Sequence, residues 1–255
     1  RASELVESSL ILNLNEPTAF SAIDWISPSQ YIGLWWGMIT NQWTWEEGPN
    51  HGATTQRAYD YIDAAAQLGI PQLLIEGWNE GWEGNWLEWG PLFNFTQSTP
   101  DFDFDAVASY AASRNVSIIG HLETGGDIVN IEQQDLDQIF AYLHNHGVRS
   151  VKTGYVEDLG MATAQGEQYH HGQVLVNHYQ RMIEAAARHD IMIMAHEQVK
   201  QTGMTRTFPN LLSQESAKGQ EYNAFGYRTV EQNSILPVTR LLAGPMDYTP
   251  GLFDL

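Results

Sequence analysis

The sequence predicts an α/β fold, a (β/α)8 barrel of the TIM type that stops before its eighth βα unit, and three observations carry this expectation. Short apolar runs alternate with amphipathic stretches from Tyr31 onward, which is the pattern of parallel strands joined by right-handed crossovers. The chain has 255 residues, and one such barrel typically needs about 250. Residues able to do chemistry, Glu76, Glu123, Tyr155, Glu197 and Asp247, stand just behind the apolar runs, where a barrel gathers its site. A doubly wound sheet would show the same alternation, but the glycine-rich phosphate loop expected after its first strand is missing from the sequence.

Residues 1–30 read as a lead-in without a signal-peptide pattern, and residues 31–255 as the incomplete barrel. The expected strands are Tyr31–Ile39, Gln72–Glu76, Ser117–Glu123, Ser150–Tyr155 and Ile191–His196, then, with weaker patterns, Asn210–Gln214 and Leu241–Asp247. Between them Ala58, Tyr61, Ile62 and Ala65 follow helical spacing, and Gly69 offers a stop. Phe104, Val107, Ala108 and Ala111 repeat that spacing behind Asp103, a good N-cap. Leu136, Ile139, Phe140 and Leu143 do so again before Gly147, and Val176, Tyr179, Met182, Ile183 and Ala186 form the fourth stripe. The seventh strand ends eight residues before the chain does, too few for another βα unit.

Thirty-one acids against twelve bases give a net charge of −19, which repels phosphate backbones and anionic membrane surfaces. No apolar stretch reaches the roughly 18–20 residues of a spanning helix, so neither nucleic acid nor membrane insertion is expected. The absence of cysteine excludes disulfides, zinc–thiolate sites, iron–sulfur clusters and thiol nucleophiles. Eight of the nine tryptophans lie from Trp35 to Trp89, among Gly, Asn and Glu and with no period of two or 3.6. A large core would use them, but loops with aromatic platforms suit this arrangement better. Beside many carboxylates, such platforms point to sugars.

Several carboxylates are placed for chemistry. In Ile118–Thr124, His121 and Glu123 share one face of a pleated strand and aim into the barrel mouth. The run Ile191–Glu197 ends in a His-Glu pair; alternation sends the two opposite ways, so one must turn where the strand stops. Glu215 and Glu221 share neither a helix face nor a close strand position, and they meet only if the intervening loop folds back, which Gly219 permits. Glu197, Glu215 and Glu221 are then a candidate set for a hard cation such as calcium. The histidines lack zinc-site spacing, and no Gly-x-Ser-x-Gly elbow is present. A pair of carboxylates flanking a glycosidic bond is the other chemistry on offer, one protonated and one ionised.

The strings YIGLWWGMI, HGATT, IEGWN-x-GWE, PDFD, GH-x-ET, VKTGYV, H-x-GQ-x-x-VNHY, AHE-x-V, TG-x-x-RTFPN, QES-x-x-GQEYNAF and AGPMDYTPG run in this order from Tyr31 to Gly251. Together they resemble the catalytic barrel of glycoside hydrolase family 97, and its periplasmic α-glucosidases in particular. The resemblance implies a calcium-dependent, inverting exo-α-glucosidase acting on malto-oligosaccharides or related glucans, periplasmic or secreted. It implies Glu221 as general acid, and Glu197 with Glu123 as the carboxylates that activate water. It implies Ca2+ held by Glu197, Glu215 and Glu221, and a non-reducing sugar bound by His121, Lys152 and His196. It also implies a preceding β-sandwich domain, which supplies a further calcium ligand, and a following β-domain; the 255-residue chain is expected to bind calcium weakly by itself and to turn over slowly.

Three other readings compete. A retaining α-galactosidase branch of the family uses an aspartate after the fourth strand; here Val151–Tyr155 contains no acid, although Asp158 follows shortly. A carbohydrate-binding or inactive barrel fragment would bind glucan through its tryptophans without turnover. A metal-dependent amidohydrolase would need several histidine ligands, against which the carboxylate cluster argues.

Overall fold

The structure, a computed structural model, describes residues 3–4, 7–84, 92–156, 160–219, 221–226 and 229–249. Trp86, Trp89 and Asp158 lie outside the described residues, as do residues 220, 250 and 251 of the strings above.

Six parallel strands form one sheet: β1 (Tyr31–Leu34), β2 (Gln72–Ile75), β3 (Ser117–Glu123), β4 (Ser150–Gly154), β7 (Met192–Ala195) and β8 (Leu211–Gln214). The short ribbon of β5 (Gly160–Met161) and β6 (Gln168–Tyr169) interrupts the path from β4 to β7. Spatial order follows chain order along the sheet, β1-β2-β3-β4-β7-β8. That single direction of winding is the barrel progression; a doubly wound sheet reverses at a switch point. β2, β4 and β7 are buried along their whole length, which explains why β2 and β7 read as near-continuous apolar runs rather than alternating ones.

The described helices are α1 (Leu10–Asn13), α2 (Trp36–Ile39), α3 (Thr55–Leu68), α4 (Phe104–Ser113), α5 (Val129–Gln133), α6 (Leu136–Asn145), α7 (Gln173–Arg188), α8 (Tyr222–Phe225) and α9 (Val230–Ile235). α3 starts where the Thr54 hydroxyl accepts from the Arg57 amide and ends at Gly69 in the left-handed conformation (φ 69°). It buries Ala58, Ile62 and Ala65 against β1 and β2. Full burial of a side chain such as Ile62 is worth about 1.5–3 kcal/mol. The Asp103 carboxylate caps α4 by accepting from the Ala106 amide at 3.0 Å. α7 buries Leu175, His178, Tyr179, Met182 and Ile183 along one stripe. Among the described residues no helix is long and apolar enough to cross a membrane.

Two expected strands are corrected. Tyr31–Ile39 keeps only its first four residues as strand, and Trp36–Ile39 turns into α2. The run is apolar throughout, so periodicity does not mark the switch. The turn is set by packing, since the Trp43 ring lies where a Cβ on Gly37 would stand, 2.3 Å away. Leu241–Asp247 forms a 3-10 turn at Arg240–Ala243, and only Met246 bridges to Gln214 on β8. Gly244 (φ 134°) and Pro245, which has no amide hydrogen, break the run. The sequence suggested seven strands; the described sheet has six and that one bridge.

The main core lies between sheet and helices, and it takes in Trp78 and Trp82, so these two tryptophans are core residues as well as loop residues. A second, small apolar cluster consists of Leu74, Ile119 and Met194 with Tyr31 against it. These four side chains come from β1, β2, β3 and β7 and make a floor inside the curl of the sheet. Residues of the lead-in bond to the turn before β8: the Ala19 amide donates to Thr207 O at 2.9 Å and Asn15 Nδ2 to Thr202 O at 2.7 Å.

Candidate active site

The two-residue period of each strand lifts polar side chains above that floor. Leu74 is followed on its face by Glu76, Ile119 by His121 and Glu123, Ser150 by Lys152, and Met194 by His196. His121 and Lys152 are paired positions on neighbouring strands. All five polar residues line one cavity of about 350 Å³, together with Trp35, Trp45, Trp82, Glu197, Glu221 and Tyr222. His121 and Glu123 therefore share a face as the strand pattern requires.

Glu197 solves the alternation problem of the His-Glu pair by turning. Its φ is 49°, a left-handed conformation that costs a residue with a side chain about 1–2 kcal/mol. The turn brings its carboxylate to the same cavity as His196, where Oε2 accepts from the Tyr155 amide at 2.9 Å. Ser216, just after Glu215, makes a similar turn (φ 46°), and its hydroxyl donates to Gln198 O at 3.1 Å. The two turns are thereby tied together at the ends of β7 and β8.

The buried charges sort into two groups. Lys152 Nζ donates to Glu76 Oε1 at 2.6 Å. Burial alone would push the Glu76 carboxyl up, but the Lys152 charge outweighs it and holds the carboxyl below its ordinary range. His196 sits between two acids, Nε2 at 2.6 Å from Asp247 Oδ2 and Nδ1 at 3.3 Å from Glu215 Oε2. Burial opposes its charge, yet Glu215 and Asp247 raise it to about 10, so it is an imidazolium. Tyr31 completes this cluster by donating to Asp247 Oδ2 at 2.9 Å. His121 Nε2 lies 4.0 Å from Glu76 Oε1 and 3.9 Å from Glu123 Oε2, beyond hydrogen-bond reach, and burial lowers it to about 3, which leaves it neutral. Three acids keep no strong cation of their own, and all are pushed up: Glu123 by burial, Glu197 to about 8 by burial and then by the Glu215 charge, and Glu221 by burial and then by Glu215. Acids whose environments pull their proton affinities apart in this way are candidates for acid–base chemistry.

Lys152→Met is expected to destabilise the fold by about 3–5 kcal/mol, because Glu76 is then buried without its partner. Adding Glu76→Leu should recover most of that loss in a denaturant titration; no recovery would mean that the pair's hydrogen bonds, and not its charges, decide.

His196, Glu197 and Glu215 offer ligand atoms within 4.8 Å of one another. Both His196 nitrogens are already engaged by carboxylates, and an imidazolium does not bind a metal. The oxygens of Glu197 and Glu215 remain, with Glu221 on the same cavity. An all-oxygen donor set fits a hard cation such as calcium and does not fit a transition metal. A divalent charge here would also offset the repulsion that pushes Glu197 and Glu221 up. Glu221 does not belong to the tight group; it comes from the turn at the start of α8.

The structure thus collects Glu123, Glu197, Glu221, His121, Lys152 and His196 around one cavity and leaves Glu215 behind it, bonded to His196. Residues singled out only as strand-end acids, Glu76 and Asp247, prove to be the partners of Lys152 and His196. Their position after the apolar runs was the available signal. Gly154 is a further one that no motif reading isolated: a Cβ there would lie 2.0 Å from Glu123 Oε2. The carboxylate occupies the space that a side chain on that strand end would need. Glu123 Oε1 in turn accepts from the Thr124 and Gly125 amides, both at 2.9 Å.

Comparison with known proteins adds to this geometry. The sequence model of the family described as Glycoside hydrolase 97 matches residues 35–217. A protein named retaining alpha-galactosidase from Bacteroides thetaiotaomicron is 26% identical over 252 residues, 97% of this chain and 34% of its own length. A probable retaining alpha-galactosidase from Streptomyces bingchenggensis is 25% identical over 260 residues, 98% of this chain and 34% of its own. The chain therefore spans about a third of the length of these curated relatives. A solved structure of a Glycoside Hydrolase Family 97 enzyme from Pseudoalteromonas sp. strain K8, in complex with acarbose, superposes with a TM-score of 0.94 at 45% identity. It is covered over 40% of its chain by 100% of this one. A variant of that enzyme holds panose.

Proposed function

We propose an inverting exo-α-glucosidase, and the premise is that this chain belongs to glycoside hydrolase family 97. Glu221 protonates the leaving glycosidic oxygen, and Glu197 with Glu123 orients and deprotonates the attacking water. His121, Lys152 and His196 hold the hydroxyls of the terminal sugar. The apolar floor of Tyr31, Leu74, Ile119 and Met194 closes the cavity beneath, which suits recognition of a chain end rather than of an internal unit. Trp35, Trp45 and Trp82 give the sugar ring flat apolar faces. Calcium, when bound at Glu197, Glu215 and Glu221, supplies a fixed positive charge beside these carboxylates. We place the protein in the periplasm or outside the cell, with residues 1–30 leading into the barrel.

The observation that carries the reading is the fit of Glu123 against Gly154. A retaining enzyme of this family needs a nucleophilic aspartate behind the fourth strand. Here β4 ends in a glycine, and the space beside it holds a second carboxylate in a position to activate water. The acarbose and panose complexes of the Pseudoalteromonas enzyme support a glucose-type substrate. The names of the two curated relatives favour the second reading, a retaining α-galactosidase.

The two differ in the first product. Proton NMR during hydrolysis of an α-glucoside is expected to show the β-anomer first, with the α-anomer growing in by mutarotation. The α-anomer appearing first, or turnover of an α-galactoside in preference to an α-glucoside, would replace this reading by the second.

A further inference from the structure

We propose that His170 is a positioning residue for Glu197, and that the loop between β4 and α7 exists in part to hold that glutamate in its turned conformation. The inference rests on the reading of Glu197 as a carboxylate that activates water. His170 and its supports do not line the cavity, so they act through Glu197.

Glu197 is gripped at two atoms by two hydrogen-bonded arms. The first reaches its backbone carbonyl, which accepts from His170 Nε2. His170 is buried and anchored in turn, since the Tyr179 hydroxyl donates to its carbonyl at 3.1 Å. The second arm reaches the side chain, where the Tyr155 amide donates to Oε2. Tyr155 is fully buried, and its hydroxyl lies 3.1 Å from His178 Nε2. His178 Nδ1 lies 2.7 Å from Glu132 Oε1, and Arg181 bonds to the same carboxylate. Burial keeps His178 neutral, so Nδ1–H donates to Glu132 and Nε2 accepts from Tyr155.

Packing alone does not ask for this. Apolar side chains would fill the same volume, whereas buried histidines and tyrosines demand a partner for every polar atom. Here two of the resulting bonds, from His170 Nε2 and from the Tyr155 amide, end on one residue, and it is a glutamate held at φ 49°, a conformation that persists only when its surroundings over-determine it. Without the carbonyl contact, Glu197 is free to relax toward an extended backbone, and strict strand alternation then carries its carboxylate away from His196 and the cavity.

The test compares His170→Phe, which keeps a ring but loses the donor, with His170→Gln, whose amide restores one. In His170→Phe, kcat on an α-glucoside is expected to fall about 10–100-fold, the usual range for residues that support a metal or catalytic ligand. KM should hold, because the residues that bind the sugar are untouched, and His170→Gln should recover most of the rate. A folded His170→Phe protein with unchanged kcat overturns the proposal. Should the phenylalanine variant fail to fold, His170→Asn, polar but too short to reach the carbonyl, makes the same comparison. Glu197→Gln measured in parallel separates the two layers of argument. If that variant keeps its rate, the role given to Glu197 is wrong, and a crystal structure of His170→Phe decides the present proposal alone. Glu197 leaving the left-handed region supports it, and Glu197 unmoved overturns it.

Discussion

Glu221→Gln is expected to lower kcat on an α-linked disaccharide by about 10²–10⁴-fold, the range for losing a positioned general acid. A sugar alcohol leaves poorly unless its oxygen is protonated as the bond breaks. Burial and the Glu215 charge raise the Glu221 carboxyl above its ordinary range, the direction that suits a proton donor. Gln keeps the size and most of the hydrogen bonding, and sugar binding measured by calorimetry should therefore change little. Fluoride leaves without a proton, and α-glucosyl fluoride should be hydrolysed at close to the wild-type rate. Equal losses on both substrates would assign Glu221 another task. An unchanged rate on the disaccharide would place the acid elsewhere.

Glu197→Gln is expected to be as costly to activity, about 10²–10⁴-fold through loss of the base, while stabilising the protein freed of calcium. The opposite signs have one cause. With chelator present, burial and the Glu215 charge raise Glu197 to about 8, well above the ordinary carboxylate value. The folded state then holds a proton that the unfolded chain gives up near pH 4.5. Its stability is greatest below that pH and is lost progressively as pH rises toward 8. Melting curves of the chelated wild type should show this decline, and Glu197→Gln should flatten it and melt higher near neutral pH. Calcium restores the wild type alone. A chelated variant that melts lower than the wild type at pH 8 would show that the carboxylate is stabilising as it stands, and would remove the electrostatic argument for a cation.

Much of the fold is legible in the residues because burial on both faces leaves a strong trace. β2, β3 and β7 are short, mainly apolar runs ending in polar residues, and the helices between the strands carry clear stripes with Thr54, Asp103, Gly69 and Gly147 at their ends. Where the chain is apolar without interruption, as in Leu34–Ile39, composition does not separate strand from helix, and a distant contact (Trp43 on Gly37) decides. Where Gly244 and Pro245 break a run, only the ladder partner of Met246 shows that the segment still follows the sheet. The site divides in the same way. His121 and Glu123 are readable from a two-residue period. The meeting of Glu197 with Glu215 depends on two left-handed turns, and neither turn falls on a glycine that would have announced it. Glu76 follows β2 and Asp247 follows the isolated bridge at Met246, far apart in sequence, and only the curl of the sheet brings them to Lys152 and His196.

The contact between Glu123 and Gly154 also constrains how this site can change over generations. One volume is shared by two positions, 31 residues apart, and only one of them can fill it. A mutation placing aspartate at 154 while Glu123 remains would push two acids into the same space; a mutation removing Glu123 first leaves room but, on the role proposed for it, removes the partner that activates water. On the proposed mechanism, a lineage crossing from one stereochemical outcome to the other one substitution at a time thus has to pass through a poorly active intermediate, and the sterically open order is loss at 123 before gain at 154. Directed evolution started from this chain should become trapped under selection for single substitutions and escape only when both codons are varied at once.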